Sequence, residues 1–199
     1  MPTRRRHLTV ATSGPGRELT GAYIIDPVHS TIGFAVKHAM VSNVRGRFDR
    51  FEGLLRLDGS DPSRSEAHVS IQTDSVDTGI RQRDAHLTGP DFLDCSTFPL
   101  MSFRSTEVVP LGGSDYRLTG SLRMKDVELP LDIAVTFGGA GRDLNRQHRI
   151  GFEGAATLRR SDWGLTWNSA PVSGGALISD KVTLLLDVSA IRVDPATAA

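Results

Sequence analysis

The chain has 199 residues and balances 23 Lys and Arg against 23 Asp and Glu, so its formal net charge is zero. That length suits one domain, with enough chain to bury a sizeable core or to wrap a cavity. A balanced surface gives no long-range field to draw in nucleic acid, and the lone Cys95 excludes an intramolecular disulfide or a multi-cysteine metal site.

Residues 1–20 begin with the basic run Arg4-Arg5-Arg6-His7, contain Gly14-Pro15-Gly16 and hold little apolar content, which predicts a flexible leader. No apolar run follows the basic start, so no secretory signal is read. No stretch approaches the uncharged apolar length of a membrane span. With a single Cys, these features fit a soluble cytoplasmic protein. The folded domain is expected over residues 21–193, with a fraying tail at 194–199.

From residue 30 onward the dominant pattern is alternation with period two, which marks half-buried strands. In STIGFAVKHAM, the residues Ile32, Phe34, Val36 and His38 share a face. In VRGRFDRFEGLLRLD, Phe48 and Phe51 are three apart and cannot share a face of a regular strand. A bulge near Asp49-Arg50 would restore the phase. AHVSIQTDS aligns Val69 with Ile71, and the same face then turns polar at Thr73 and Ser75.

The stretch DSVDTGIRQRDAHLTGPDFLD, residues 74 to 94, breaks this rhythm. Asp77 or Thr78 is suited to cap a helix. Ile80, Asp84 and Leu87 then fall on one side, and Gly89-Pro90 ends it. Beyond it, alternation resumes. Tyr116, Leu118, Leu122 and Met124 form one face, and Leu129, Leu131, Ile133, Val135 and Phe137 the next. Ile150, Phe152, Ala156 and Leu158 follow, and then Val182, Leu184, Leu186 and Val188. Many alternating strands in a row argue for an all-β antiparallel sandwich or barrel, with one short helical insertion midway.

The inward face mixes large residues (Phe34, Phe48, Phe103, Phe152) with small ones (Gly120, Gly154, Ala156). Small residues leave room for an apolar ligand, or relieve crowding where a barrel bends. A filled core and a ligand cavity both fit this pattern.

Four segments together resemble the YceI family, whose architecture is similar to that of lipocalins. They are YIIDPVHSTIGFAVKHAMVSNVRGRFDRFEG (23 to 53), SVDTGIRQRDAHLTGPDFLDCSTFPLMSF (75 to 103), YRLTGSLRMKDVELPLDI (116 to 133) and IGFEGAATLRRSDWGL (150 to 165). The resemblance implies an elongated, antiparallel, lipocalin-like barrel of about eight strands around a long apolar channel. It implies a polyisoprenoid, quinone or similar long-chain amphiphile as ligand, no metal or redox cofactor, and a homodimer as one possible assembly. The chain departs from the family pattern at three places. Tyr23 replaces a usual Trp, Ile80 a usual Asn, and Lys125-Asp126 a usual His-Gly. The Ile80 change removes a polar group from the region expected to form the channel mouth.

A binding role therefore falls to Phe34, Val36, His38, Phe48, Phe103, Leu122, Ile133, Val135 and Phe152, with Arg83 reaching either a structural partner or a ligand oxygen. Asp77, Asp84 and His86 read as a structural latch that fixes the helical insertion beside the barrel mouth. The carboxylate pairs Asp74/Asp77 and Asp91/Asp94 could serve as acid and base, but capping explains them more simply. His29, His38 and His86 form no metal-binding motif, so no catalytic or metal residue is assigned. The rival reading is an enzyme that acts on an apolar substrate in the same barrel. Trp163 and Trp167, with Arg159 and Arg160, either pack at a strand end or give transient contact with an anionic membrane.

Overall fold

The computed structural model of the chain describes residues 16–169 and 177–193. Residues 1–15 of the expected leader, and the expected tail at 194–199, lie outside the described residues. Eleven strands are seen among the described residues. They are β1 (Gly21–Ile25), β2 (Thr31–His38), β3 (Ser42–Phe48), β4 (Phe51–Leu57), β5 (Glu66–Gln72) and β6 (Val76–Asp77), then β7 (Leu100–Gly112), β8 (Asp115–Met124), β9 (Val127–Arg142), β10 (His148–Arg159) and β11 (Ile178–Val193). The helix α1 (Arg81–Thr88) lies between β6 and β7.

All pairings are antiparallel, and they close into an eight-position barrel. Three positions are filled by strands that break partway along: β1 with β2, β3 with β4, and β5 with β6. The last strand, β11, closes the ring. Its first half pairs with β2, from Ile178↔His38 to Asp187↔Thr31. Its second half pairs with β1, from Ala190↔Ile25 to Val193↔Ala22. Its other edge pairs with β10 over eleven positions, so no edge of β11 is left open to a foreign strand.

The breaks are repaired by serine hydroxyls. Between β1 and β2, Ser30 Oγ accepts the Ser189 N–H at 2.9 Å and donates to the Ser189 carbonyl at 3.1 Å. Between the other broken strands, Ser75 Oγ accepts the Arg50 N–H at 3.0 Å and donates to the Gln72 carbonyl at 2.6 Å. The phase slip expected near Asp49-Arg50 is the gap between β3 and β4. The polar face expected at Thr73 and Ser75 is the turn between β5 and β6, where both residues are buried. A buried backbone group without a partner is costly, so these side chains allow the wall to bend.

Asp26 fastens the first break to the neighbouring hairpin. Its Oδ2 meets Arg149 Nη1 at 2.6 Å and His29 Nδ1 at 2.8 Å, while Oδ1 accepts the Val28 N–H at 3.0 Å. Arg149 reaches on to Asp143 at 2.9 Å. The Arg149 guanidinium holds the Asp26 carboxyl at about 2, below the usual 3.8, against the opposing effect of burial.

Apolar residues gather in two clusters. One, around Phe48, Phe103, Leu122 and Ile133, surrounds the half of the barrel beside α1. The other, around Tyr23, Leu55, Tyr116, Phe137 and Ile150, lies towards the far end. Tyr23 is fully buried there and donates its hydroxyl to the Leu19 carbonyl at 2.9 Å. Leu19 belongs to a 3-10 turn (Arg17–Leu19) and is itself buried, so the packed body includes residues that the sequence assigned to the leader.

Gly120 is required by packing. A Cβ there would stand 2.3 Å from Phe103 Cζ and 2.5 Å from the Arg104 carbonyl oxygen. Gly120→Ala must shift the β7–β8 ladder, and we expect a loss of about 1–3 kcal/mol in urea unfolding; an unchanged midpoint would show that Phe103 yields freely. A second expectation concerns acid. The depressed Asp26 pKa contributes stability that is complete above 3.8 and lost as pH falls towards about 2. Water at the rim screens part of it, leaving on the order of 1 kcal/mol. Denaturant midpoints followed across this window should fall less in Asp26→Asn than in the parent protein.

Candidate functional site

The α1 half of the barrel encloses a cavity of about 610 Å³. Its walls are almost entirely aliphatic and aromatic. Phe34, Val36, His38, Phe48, Phe103, Leu122, Ile133 and Arg83, all singled out from the sequence, line it. Side-chain alternation is the reason. The inward residues of β2 face those of β3 as Ile32↔Phe48, Phe34↔Gly46 and Val36↔Val44. Gly46 is needed to seat Phe34, because a Cβ there would lie 2.5 Å from that ring.

Val135 and Phe152 are placed elsewhere. They line a second, smaller chamber of about 140 Å³ with Val108, Tyr116 and Leu118. Each inward step along a strand advances two residues, roughly 6.6 Å, so Val135 lies one step further down β9 than Ile133. Phe103, Ile133, Val69 and Leu186 line both chambers and separate them.

The cavity opens where its exposed lining residues lie, at His38, Ile80 and Gln82. α1 sits there, held by a compact polar network. Arg83 Nε donates to Thr78 Oγ1 at 2.7 Å and Nη2 to the Thr78 carbonyl at 2.8 Å. Thr78 in turn donates both its hydroxyl and its N–H to Asp84 Oδ1. Asp77 accepts from the Gly79 N–H at 2.8 Å and pairs with Arg47 on β3 at 2.9 Å. His86 meets Asp91 at 3.0 Å and stands edge-on to Trp167 and Phe92, with ring centroids 4.6 and 5.0 Å away.

Two sequence expectations need correction here. The helix N-cap is Ile80, which offers no capping side chain. Asp77 and Thr78 instead shape the turn before it, because Gly79, at φ +79°, swings the chain away from them. Arg160 cannot serve an anionic surface. It is buried, with Nη1 bound to the Leu165 and Trp167 carbonyls and Nε to Ser179. Burial pulls its pKa down from the ordinary value, with Asp180 opposing. Trp163 is also buried, donating Nε1–H to the Leu122 carbonyl at 3.1 Å.

No residue pattern signals Arg160 as a cavity wall or Trp167 as the partner of His86. Cys95 is partly buried, which pushes its thiol pKa up, away from nucleophilic use. Among the described residues, no three His, Cys, Asp or Glu side chains gather closely enough to hold a metal. No helix among them is long and apolar enough to cross a membrane.

Comparison with known proteins agrees with this geometry. A UPF0312 protein of Pseudomonas aeruginosa is 38% identical over 179 residues, spanning 89% of this chain and 90% of its own. The crystal structure of Burkholderia cenocepacia BcnA shares the fold, with a TM-score of 0.73 at 22% identity over 83% of this chain and 98% of its own. So does a polyisoprenoid binding domain from Saccharophagus degradans, with a TM-score of 0.65 at 17% identity over 86% of this chain and 98% of its own. The model of the YceI-like domain matches residues 23–190, and with these relatives it establishes that the chain belongs to the YceI-like family.

Proposed function

We propose that the barrel binds a long-chain isoprenoid, quinone or similar amphiphile, with the chain in the cavity and the polar head at the mouth, and that it stores, carries or presents that lipid. The observation that supports this most is the 610 Å³ apolar cavity with its few polar groups gathered near one end. The polyisoprenoid-binding description of the Saccharophagus degradans domain is in keeping with that chemistry.

A binder fits the polar groups better than an enzyme. Arg83, Thr78 and Asp84 satisfy one another, and His86 is engaged with Asp91. The energetics also favour recognition of the chain. Each buried CH₂ contributes about 0.8 kcal/mol, whereas one hydrogen bond to a headgroup contributes about 1 kcal/mol net. A few methylenes outweigh any single head contact.

Native mass spectrometry of the purified protein, before and after incubation with polyprenol, tests this reading. We expect a stoichiometric adduct, and tail-matched alcohols and quinones that bind within about tenfold of each other. Val36→Trp, which fills the cavity from a half-buried wall position, should abolish the adduct while preserving the fold by circular dichroism. Absence of lipid uptake by the parent protein would overturn the proposal. Phe103→Leu, by thinning the partition between chambers, should let the barrel retain longer chains than the parent does.

A further inference from the structure

The outer wall beside the mouth is unevenly charged. Lys37 and Arg45 lie on the outer face of β2 and β3, opposite Asn43 and Ala35. On the adjoining strands, Lys181 of β11 stands directly opposite Arg159 of β10. All four are exposed. Like charges set opposite each other on a ladder repel. Arg159 has one loose ion pair, 4.0 Å from Asp180, and Asp180 is already bound to the Ser161 N–H and hydroxyl. Among the described residues, Lys37, Arg45 and Lys181 have no ion pair.

The same ladder reverses sign away from the mouth, where Glu153 stands opposite Asp187. On the other side of the barrel, Glu128 and Asp132 occupy the outer face of β9, bound to Ser121 and Thr119. Lys37, Arg45, Lys181 and Arg159 therefore form a belt across β3, β2, β11 and β10, at the end where the cavity opens.

Above this belt stands the β2–β3 loop, Ala39-Met40-Val41. Met40 is 66% exposed and Val41 85%. Ala39 and Met40 both hold left-handed backbone, at φ +48° and +59°. That conformation is unfavourable for residues with a Cβ. It is held by the Ala39 N–H on the Leu177 carbonyl at 2.7 Å and the Val41 N–H on the His38 carbonyl at 3.1 Å. The loop thus presents two apolar side chains to solvent beside a row of four exposed cations, three of which have no ion pair among the described residues.

We propose that this loop and the basic belt dock the barrel mouth on an anionic lipid bilayer, with Met40 and Val41 entering the headgroup layer. Cations flanking exposed apolar side chains are the combination that holds proteins at a charged membrane surface. The inference rests on the lipid-binding reading only for the purpose of docking; vesicle binding is measurable whether or not the cavity takes up lipid.

The test is co-sedimentation of the full chain with phosphatidylcholine vesicles, with and without phosphatidylglycerol. Binding should require phosphatidylglycerol and weaken as salt is raised. Neutralising Lys37, Arg45 or Lys181 to Gln should each lower the partition coefficient roughly fivefold. Met40→Ser with Val41→Ser should weaken binding without altering its salt dependence. Arg117→Gln, on the outer face of β8, changes net charge equally and should have little effect. Three results would overturn the proposal. One is no sedimentation with anionic vesicles at low salt, which would leave the loop to a protein partner. Another is an Arg117→Gln effect as large as that of the belt variants. The third is a dimer in sedimentation velocity that the Met40→Ser, Val41→Ser variant loses.

Discussion

The ring depends on one strand satisfying two. β11 must bond β2 along its first half and β1 along its second, and the two are interrupted between residues 25 and 31. An interruption normally strands backbone donors and acceptors inside a wall, at a cost comparable to a lost hydrogen bond for each. Ser30 removes that cost at Ser189 by acting as donor and acceptor at once. Ser75 does the same two strands away. With those hydroxyls in place the sheet can turn and still close. Closure both removes the sheet edges and creates an interior.

That interior is shaped by where large rings are admitted. Gly46 makes room for Phe34 and Gly120 for Phe103. Phe103 then stands between the wide and the narrow chamber. The glycines are therefore part of the cavity's shape even though neither has a side chain to contribute. At the mouth, the division of labour is reversed. Polar groups that could have met a ligand are largely committed to holding α1, and His86 joins that network to the aromatic pair Phe92 and Trp167.

The strands were legible in the sequence because each of their faces meets one environment for its whole length. Alternation needs no knowledge of the partner strand. It also marked two of the breaks, through the slip between Phe48 and Phe51 and the polar turn at Thr73 and Ser75. The one long channel that the family resemblance implies is divided into two chambers, and alternation could not show this, because it says which way a side chain points but not how far along the barrel it sits. Val135 and Phe152 illustrate this. Arg160 was illegible for another reason. Its acceptors are the carbonyls of Leu165, Trp167 and Ser179. Carbonyls are common to every residue, so no residue pattern announces a cluster of them. Within Arg159-Arg160 the sequence shows two equal charges, and only the fold exposes one and buries the other.

The wide chamber's exposed lining residues are all at the α1 end, and Phe103, Ile133, Val69 and Leu186 wall it off from the narrow chamber. A chamber walled in this way has one mouth. On the proposed lipid-binding reading, an occupant that enters tail first departs head first by the same door. On that reading incoming and outgoing molecules cannot pass, and exchange follows the kinetics of a single berth: vacate, then refill. Whatever stands at the mouth sets the rate of both steps.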